Sequence, residues 1–348
     1  MKKLLLFCAV CTAMTAGISL QGCGGSSVEF VVDEDNARVD VLYGGQLFTS
    51  YIYPGDLEKP VLYPLRTAKG TVVTRGFPRD PNPGERVDHP HHVGMWFNFG
   101  DVNGLDFWNN SYAIPAERKP NYGSIRHRRI VKAESGPERG ELAVECDWVD
   151  YQGAVLLREA ASYIFSGKGD WRIIDHITTL TAQQDTVTFT DNKEGLIAIR
   201  VDRAFEEPST RPEIFLDAAG NPTSVPAMNN EGVNGHYRNS EGLDGEKGIW
   251  GKPAGWVSLS AEKGGESITL AIIDHADNPG YPAHSHARGY GLFAHNNMGS
   301  RVFDSSAPLF QLVLKRGESV TLRHRIIIKT NGFATDAELN ELEATFSQ

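Results

Sequence analysis

Three stretches in the middle of the chain decide the fold: GELAVECDWVD (140–150), AVLLREAASYIF (154–165) and WRIIDHITTLTA (171–182). In each of them apolar and polar side chains alternate with a period of two, which is typical of a strand with one buried face. The run Gly-Lys-Gly-Asp at 167–170 separates the last two stretches and predicts a hairpin between them. The centre of the chain therefore predicts long antiparallel strands.

The same period continues toward both ends of the chain. Short alternating runs separated by turn residues occupy residues 28–74, and further runs resume around residues 186–203 and 250–330. Between them, residues 206–247 are rich in Pro, Asn and Gly with little periodicity, and we interpret them as a long loop.

One helix is expected, at the C terminus. Thr335 and Glu338 form a capping box, and Leu339, Leu342 and Phe346 fall on one helical face. We therefore predict an all-β fold, a large antiparallel β-sandwich with a short C-terminal helix, that forms a single domain over residues 28–348.

The first 22 residues have the pattern of a lipoprotein signal peptide. Lys2 and Lys3 precede an apolar segment that ends in LQGC (20–23), followed by a Gly-Ser-rich stretch. We expect cleavage before Cys23, lipidation of its thiol and a tether over residues 23–27; plain cleavage and secretion is the alternative. Asp does not follow Cys23, which favours an outer-membrane lipoprotein that faces the periplasm.

Charge and motif content argue against several classes of protein. The formal net charge is −10 at pH 7, and without a basic patch to neutralise phosphates nucleic acid is not an expected partner. The sequence has no Gly-rich phosphate loop before a helix and no Gly-x-Ser-x-Gly elbow, which argues against nucleotide binding and serine hydrolysis. Cys8 and Cys11 lie in the predicted signal peptide, so Cys146 has no cysteine partner and is interpreted as a small core residue.

The stretch DHPHHVGMWFNFGDVNGLDFWNN (88–110) carries the densest chemistry. It holds three of the eleven histidines and two of the six tryptophans, and polar groups at this density must be solvated or face a polar ligand. In an extended segment His89 and His91 project to one side and His92 to the other, with Pro90 keeping His89 extended.

A second histidine pair, His284 and His286, has the same spacing and could converge on the first pair across a sandwich. These four imidazoles could bind a divalent metal with ligands from other strands. They could instead work without a metal, as acids and bases beside a carboxylate. They could also be satisfied in turns and cross-strand hydrogen bonds, and the sequence leaves the three alternatives open.

Two acids that precede glycine are candidate partners for the histidines. Glu194 begins a strand, and Glu241 lies within the long loop. A carboxylate near imidazoles can serve as general base with a histidine as acid, whereas the alternative for each is an acid on a surface turn. The candidate catalytic residues are His89, His91, Glu194 and Glu241.

Aromatic and polar residues around the histidines favour a sugar as the ligand. Aromatic rings stack on the C–H faces of a sugar, while carboxylate, amide and imidazole groups bind its hydroxyls. Core packing is the alternative for any single aromatic residue. The candidate substrate-binding residues are His92, Trp96, Asn103, Asp106, Trp108, Arg75, His284, His286 and Arg288.

Several segments resemble the bacterial PmoA family. They are KPVLYPLRTAKGTVVTRGFP (59–78), ERVDHPHHVGMWFNFGDVNGLDFW (85–108), NKEGLIAIRV (192–201), RNSEGLDGEKGIWGKPAGWV (238–257) and DHADNPGYPAHSHARGYGLFAHNNMG (274–299). The resemblance implies a sandwich of the galactose-mutarotase type in a secreted or lipid-anchored protein of carbohydrate catabolism. By analogy with mutarotases, it assigns a His acid and a Glu base to the concave face, with His89 or His91 beside Glu194 or Glu241.

Some members of that family carry the name methane oxygenase. Because no apolar stretch after residue 22 is long enough to span a membrane, the resemblance implies a domain of unassigned activity. The leading hypothesis is a lipid-anchored periplasmic enzyme that acts on a sugar or modified glycoside by epimerase, lyase or hydrolase chemistry. The alternatives are a non-catalytic glycan-binding lipoprotein and a His-ligated metal-dependent enzyme. The expected partners are a small carbohydrate and, through the lipid anchor alone, the membrane.

Overall fold

Side-chain burial follows a period of two in the long central strands. In the computed structural model, which describes residues 27–226 and 229–347, Leu142, Val144, Cys146 and Trp148 are buried and the residues between them are half-buried. Residues 167–170 join the next two strands as the predicted hairpin. The alternation thus gives each strand one face for the core.

The described residues form twenty strands, two α-helices and two 3-10 turns. The first ten strands are β1 (Val28–Asp33), β2 (Arg38–Tyr43), β3 (Gln46–Ile52), β4 (Val61–Leu62), β5 (Met95–Phe99), β6 (Ser124–Glu134), β7 (Arg139–Val149), β8 (Val155–Ser166), β9 (Trp171–Ala182) and β10 (Thr186–Thr190). The next ten are β11 (Gly195–Arg200), β12 (Glu213–Leu216), β13 (Pro222–Val225), β14 (His236–Asn239), β15 (Trp256–Lys263), β16 (Glu266–Asp274), β17 (His284–Ser285), β18 (Leu292–Asn296), β19 (Gln311–Lys315) and β20 (Ser319–Lys329). The helices are α1 (Gly245–Ile249) and α2 (Asp336–Phe346), and the 3-10 turns are Ala116–Asn121 and Arg203–Phe205.

Two eight-stranded antiparallel sheets make up the sandwich. The first sheet has the order β1-β2-β3-β4-β5-β11-β18-β17, and the second has the order β14-β15-β16-β20-β9-β8-β7-β6. β10 pairs with β19 and β12 pairs with β13 in two small ribbons. The predicted all-β fold and antiparallel sandwich are confirmed; the single domain over 28–348 stays a prediction.

The core lies between the two sheets. Phe97 and Phe99 of the first sheet, and Trp148 and Phe165 of the second, belong to one large buried cluster. Cys146 is a buried free thiol in the same cluster, as predicted. Residues that alternate with these, such as Trp96, point to the outer face of the first sheet and form a separate cluster.

The C-terminal helix covers the outer face of the second sheet. Leu339 of α2 packs in a cluster with Trp256, Ile273 and Ile327. The predicted capping box is present, because Thr335 accepts from the backbone of Glu338 and the Glu338 side chain accepts from the backbone of Thr335.

Two expectations for the chain differ in outcome. Residues 206–247, interpreted as a loop, contain β12, β13, β14 and most of α1; elements of four or five residues are too short to show a periodic pattern. The predicted signal peptide (1–22) and Cys23 lie outside the described residues, as does most of the tether. Within residues 27–226 and 229–347, no helix is long and apolar enough to cross a membrane.

Candidate functional site

A row of side chains crosses the outer face of the first sheet. Trp96 on β5 pairs with Ala198 on β11, which pairs with Ala294 on β18, and His286 just after β17 donates its backbone N–H to Ala294. Because the two central residues are alanines, the large rings stand at the two ends of the row. Trp108, from the connection after β5, contacts both rings, with centroids 5.2 Å from Trp96 and 6.0 Å from His286. The row therefore forms a floor with an aromatic wall.

Residues 89–92, here called the histidine turn, lie beside this floor. The N–H of His92 donates to the carbonyl of His89 at 2.9 Å, so the segment is a tight turn with Pro90 at its second position, where proline is favoured. His89 has a positive φ of 42°, a conformation that L-residues other than Gly, Asn, Asp and His seldom adopt. The expectation that Pro90 keeps His89 extended, with His92 on the opposite side, is wrong.

The turn assembles a stack of four rings, here called the ring stack: Tyr290, His89, His92 and Trp96. Successive ring centroids are 5.1, 4.8 and 5.0 Å apart, at interplanar angles of 5°, 4° and 20°. The His89 side chain is 40% exposed, whereas His92 and Trp96 are buried. The stack therefore runs from the protein surface into the outer cluster of the first sheet.

Asp88 fixes the orientation of His89. Its Oδ2 accepts from Nδ1 of His89 at 2.8 Å, and its Oδ1 accepts from Nη2 of Arg200 at 2.6 Å and from Nη1 of Arg75. Arg75 also donates to the carbonyls of His89 and His92, at 3.0 and 3.2 Å. Arg75 thus positions the turn from beneath rather than contacting a substrate, which corrects its assignment as a binding residue.

The charges of this group act on one another. Burial alone would raise the pKa of Asp88, but Arg200, His89 and Arg75 lower it well below its usual range. Burial, followed by the charge of Arg200, lowers the pKa of Arg75 to about 9. With Asp88 ionised, Nδ1 of His89 carries the proton and Nε2 is left as an acceptor, the tautomer that a general base requires.

Buried polar atoms without a protein partner surround the ring stack. Among the described residues, Nε2 of His91, Nε2 of His92, Nε1 of Trp96 and Nδ1 of His286 have none. Arg200 donates to Nδ1 of His92 at 3.2 Å, so neutral His92 carries its proton on Nε2 and offers an unused donor, as the Trp96 indole does. A buried donor without a partner costs free energy, so this cluster is suited to a ligand with several oxygen atoms.

Burial keeps these imidazoles neutral. It lowers the pKa of His286 to about 3 and the pKa values of His91 and His92 well below their usual range. Neutral imidazoles can donate through one nitrogen and accept through the other, which suits the hydroxyls of a sugar.

Glu194 reaches the same region from the start of β11. Its Oε2 lies 3.8 Å from Nδ1 of His286, and its other carboxylate oxygen contacts Lys193. After burial and the opposing effect of Arg200, the charge of Glu194 contributes to raising the pKa of Tyr290 to about 12. Glu194 and His286 therefore belong with the ring stack, in line with the predicted convergence of the second histidine pair on the first.

Several predicted residues lie elsewhere. Glu241 is exposed after β14, an edge strand of the second sheet, and its charge acts on Glu343 of α2. It is not brought to the histidines, because they lie on the other sheet. Asn103 bonds to the backbone of Thr186 and Thr188 and fixes its own loop.

Three others lie at the margins of the site. Asp106 accepts from the backbone N–H groups of Trp108 and Asn109, both at 2.9 Å, and so shapes the connection that carries Trp108. His284 stacks on Phe303 at 5.3 Å. Arg288 lies over the ring of Trp250 at 4.7 Å and 3.5 Å from Glu246.

Three residues of the site were missed by the sequence reasoning: Arg200, Tyr290 and Lys59. Arg200 carried a signal, since it is a charged residue at the end of an otherwise apolar strand, and a buried charge needs a partner. Tyr290 and Lys59 had no local signal, because their neighbours come from distant segments.

Two pockets flank the ring stack. One, of about 780 Å³, begins at Tyr290 and Arg288 and continues over residues 207–213 and 244–247. The other, of about 90 Å³, is lined by Lys59, His91, Asn110 and Ser111 among others. In the described ranges no three His, Cys, Asp or Glu side chains are grouped so as to hold a metal ion.

A family model described as "Family of unknown function (DUF6807)" matches residues 38–344. The chain belongs to the DUF6807 family. The match does not support the name PmoA that the sequence resemblance suggested. No curated protein matches this DUF6807 chain.

Solved structures give distant likenesses to the DUF6807 chain. The galactosidase domain of an alpha-galactosidase-sucrose kinase is 9% identical, with 87% of this chain and 41% of that chain covered and a TM-score of 0.38. A GH36 alpha-galactosidase from Geobacillus stearothermophilus is 12% identical, with 82% and 39% covered and a TM-score of 0.38. A putative aldose 1-epimerase from Escherichia coli is 10% identical, with 88% and 99% covered and a TM-score of 0.33. The chain spans about two fifths of the length of the two galactosidase chains, and likenesses this distant carry neither a reaction nor a substrate to it.

Proposed function

We propose that the protein performs acid–base chemistry on a sugar or modified glycoside bound at the outer face of the first sheet. One observation carries the proposal: Asp88 holds His89 with a free Nε2 beside buried polar atoms that have no protein partner among the described residues. Such an imidazole can take a proton, and unused donors can bind substrate oxygens.

Each side chain has a role in this proposal. His89 takes a proton from the substrate through Nε2, and Asp88 stabilises the imidazolium that forms. Glu194, beside His286, is the second acid–base group. Trp108 and Tyr290 offer aromatic faces to the C–H groups of a sugar ring. Removal and return of a proton at two positions is common to epimerase, lyase and hydrolase chemistry, so the sugar and the bond remain to be identified by experiment.

The test separates binding from turnover. Monosaccharides and methyl glycosides are screened for binding by ligand-observed NMR, and those that bind are followed in D₂O for exchange, isomerisation or cleavage. His89→Gln and Glu194→Gln should each lower the rate by about 100-fold or more, because general acid–base groups contribute about 10²–10⁴-fold. The dissociation constant should change by only a few-fold.

The control is Glu241→Gln, which removes a carboxylate far from the ring stack and should leave the rate unchanged. A wild-type protein that binds sugars but changes none of them would make the chain a glycan-binding protein instead. A His89→Gln variant with the wild-type rate would contradict the role of His89.

We also propose that the chain is a cell-envelope lipoprotein, anchored through Cys23 in the outer membrane and facing the periplasm. Support comes from residues 1–27 alone, where a charged start, an apolar segment and LQGC (20–23) follow one another. A sugar site in the periplasm would meet small glycans that enter the cell envelope.

A further inference from the structure

Lys59 is a buried cation at the inner end of the ring stack. It is 4% exposed, and its Nζ lies 5.4 Å from the centroid of the Trp96 ring. Its Nζ donates to the carbonyl of His91 at 2.8 Å. An ammonium has three donors, and two of them remain for another acceptor.

The acids near Lys59 are already engaged. Asp106 and Glu58 act on its charge from a distance, and over residues 27–226 and 229–347 no carboxylate forms an ion pair with it. Glu58 pairs with Lys119 at 2.8 Å and Arg126 at 2.7 Å, while Asp106 accepts from the backbone of its own turn. Burial therefore dominates and lowers the pKa of Lys59 to about 7.

Lys59 lines the smaller pocket. Its volume of about 90 Å³ corresponds to about three waters at about 30 Å³ each, and is far below the range of about 300–1,000 Å³ for a whole small-molecule ligand. Val61 and Val93 supply apolar walls, and His91, with its unpartnered Nε2, supplies a second polar group. The acid at its rim, Asp56, pairs with Arg79. The pocket thus suits one small polar substituent.

This pocket adjoins the proposed catalytic group. The His91 ring lies 4.3 Å from His92 and 5.6 Å from His89, between ring centroids. A substituent in the pocket would therefore belong to a molecule whose ring lies along the ring stack.

We infer that Lys59 and His91 form a subsite for the carboxylate of the substrate, so that the sugar is an acidic one of the uronic-acid class. The inference rests on the proposed function. A carboxylate accepts the two unused donors of Lys59 in charge-assisted hydrogen bonds and offsets the cost of the buried ammonium. Sulfate and phosphate esters carry the same charge on a larger, tetrahedral group, and the test includes them.

The experiment compares matched ligands. Methyl glucuronide and methyl galacturonide are titrated against the corresponding neutral methyl glucoside and galactoside, and against the 6-phosphates and 6-sulfates, by ligand-observed NMR. The wild type should bind at least one uronide about ten-fold more tightly than its neutral partner, because hydrogen bonds to charged groups exceed neutral ones by this order.

Lys59→Met should abolish this preference without changing the affinity for the neutral glycosides, and Lys59→Arg, which keeps the charge, should retain part of it. Lys132→Met, on an exposed edge of the second sheet, is the matched control and should match the wild type. Equal binding of uronides and neutral glycosides by the wild type would overturn the inference, as would a Lys59→Met variant that keeps the preference or a wild type that prefers the phosphate or sulfate ester.

Failure of the subsite and failure of the proposed function give different results. If neutral glycosides bind and exchange protons through His89 without an acidic preference, the subsite alone is wrong. If uronides bind through Lys59 but His89→Gln leaves turnover unchanged, the proposed chemistry is wrong and the subsite stands.

Discussion

Asp88 is the residue on which the histidine turn depends. One carboxylate accepts from two buried guanidinium groups and from the exposed histidine. Two positive charges buried at a single site are costly unless a carboxylate compensates them. The same carboxylate therefore maintains the fold beneath the turn and sets the tautomer of His89 above it.

Asp88→Asn should lower the free energy of unfolding by about 3–5 kcal/mol at pH 7, the cost of removing one partner from a buried ion pair. Urea unfolding measures it, with the exposed Asp185→Asn as control. Because the folded-state pKa of Asp88 is depressed, its contribution is present above its unfolded pKa of about 3.9 and is lost as the pH falls. The gap between wild type and Asp88→Asn should therefore narrow below about pH 4; a constant gap would contradict the clamp.

At the scale of the element, strand connections supply most of the site. β5, β11 and β18 provide a floor of one tryptophan and two alanines, while the histidine turn, Trp108 and Tyr290 come from the segments between strands. Loops placed by a rigid sheet are the usual position of functional groups. The chemistry of this face is therefore set by how well each connection is held.

Asp106→Ala tests the connection that carries Trp108. Loss of the two backbone hydrogen bonds at 2.9 Å should speed amide hydrogen exchange over residues 106–110 and lower the free energy of unfolding by about 1–2 kcal/mol. Asp106→Asn keeps the acceptor oxygen and should restore most of the protection. Asp101→Ala removes a similar turn bond to Gly104 and should leave residues 106–110 protected; equal loss in both variants would show that Asp106 has no special role.

Elements that repeat a pattern were predictable from the sequence, and long-range pairings were not. Strands β7 to β9 and the cap of α2 follow from spacing alone. The geometry of His89 did not, because the preference of a pre-proline residue for an extended backbone lost to a turn closed by Asp88 and Arg75. Arg200 and Tyr290 join the site from strands more than a hundred residues away in sequence, which no local pattern encodes.

At the scale of the whole molecule, the two outer faces of the sandwich are treated differently. The helix α2 covers the second sheet through Leu339, whereas connections and the ring stack cover the first. The predicted tether leads into β1, an edge strand of the first sheet. Anchoring and ligand binding can thus be separated by mutation.

Cys23→Ala should release the protein from the membrane fraction and abolish labelling with a radioactive fatty acid, while leaving ligand binding unchanged. Fractionation of the cell envelope measures the first effect. Cys146→Ala alters the buried core thiol and should leave the protein in the membrane. Retention of Cys23→Ala in the membrane fraction would contradict the lipid anchor.

The contact between Trp96 and Trp108 has an optical consequence. Two indoles 5.2 Å apart and inclined at 63° are close enough for their excited states to couple. One belongs to the sheet and the other to a connection, so the coupled circular dichroism signal depends on how that connection is seated. Replacement of either tryptophan by phenylalanine would remove the coupling, and a ligand that moves Trp108 would change it. The protein thus contains its own unlabelled reporter of occupancy, which can be read before any substrate is known.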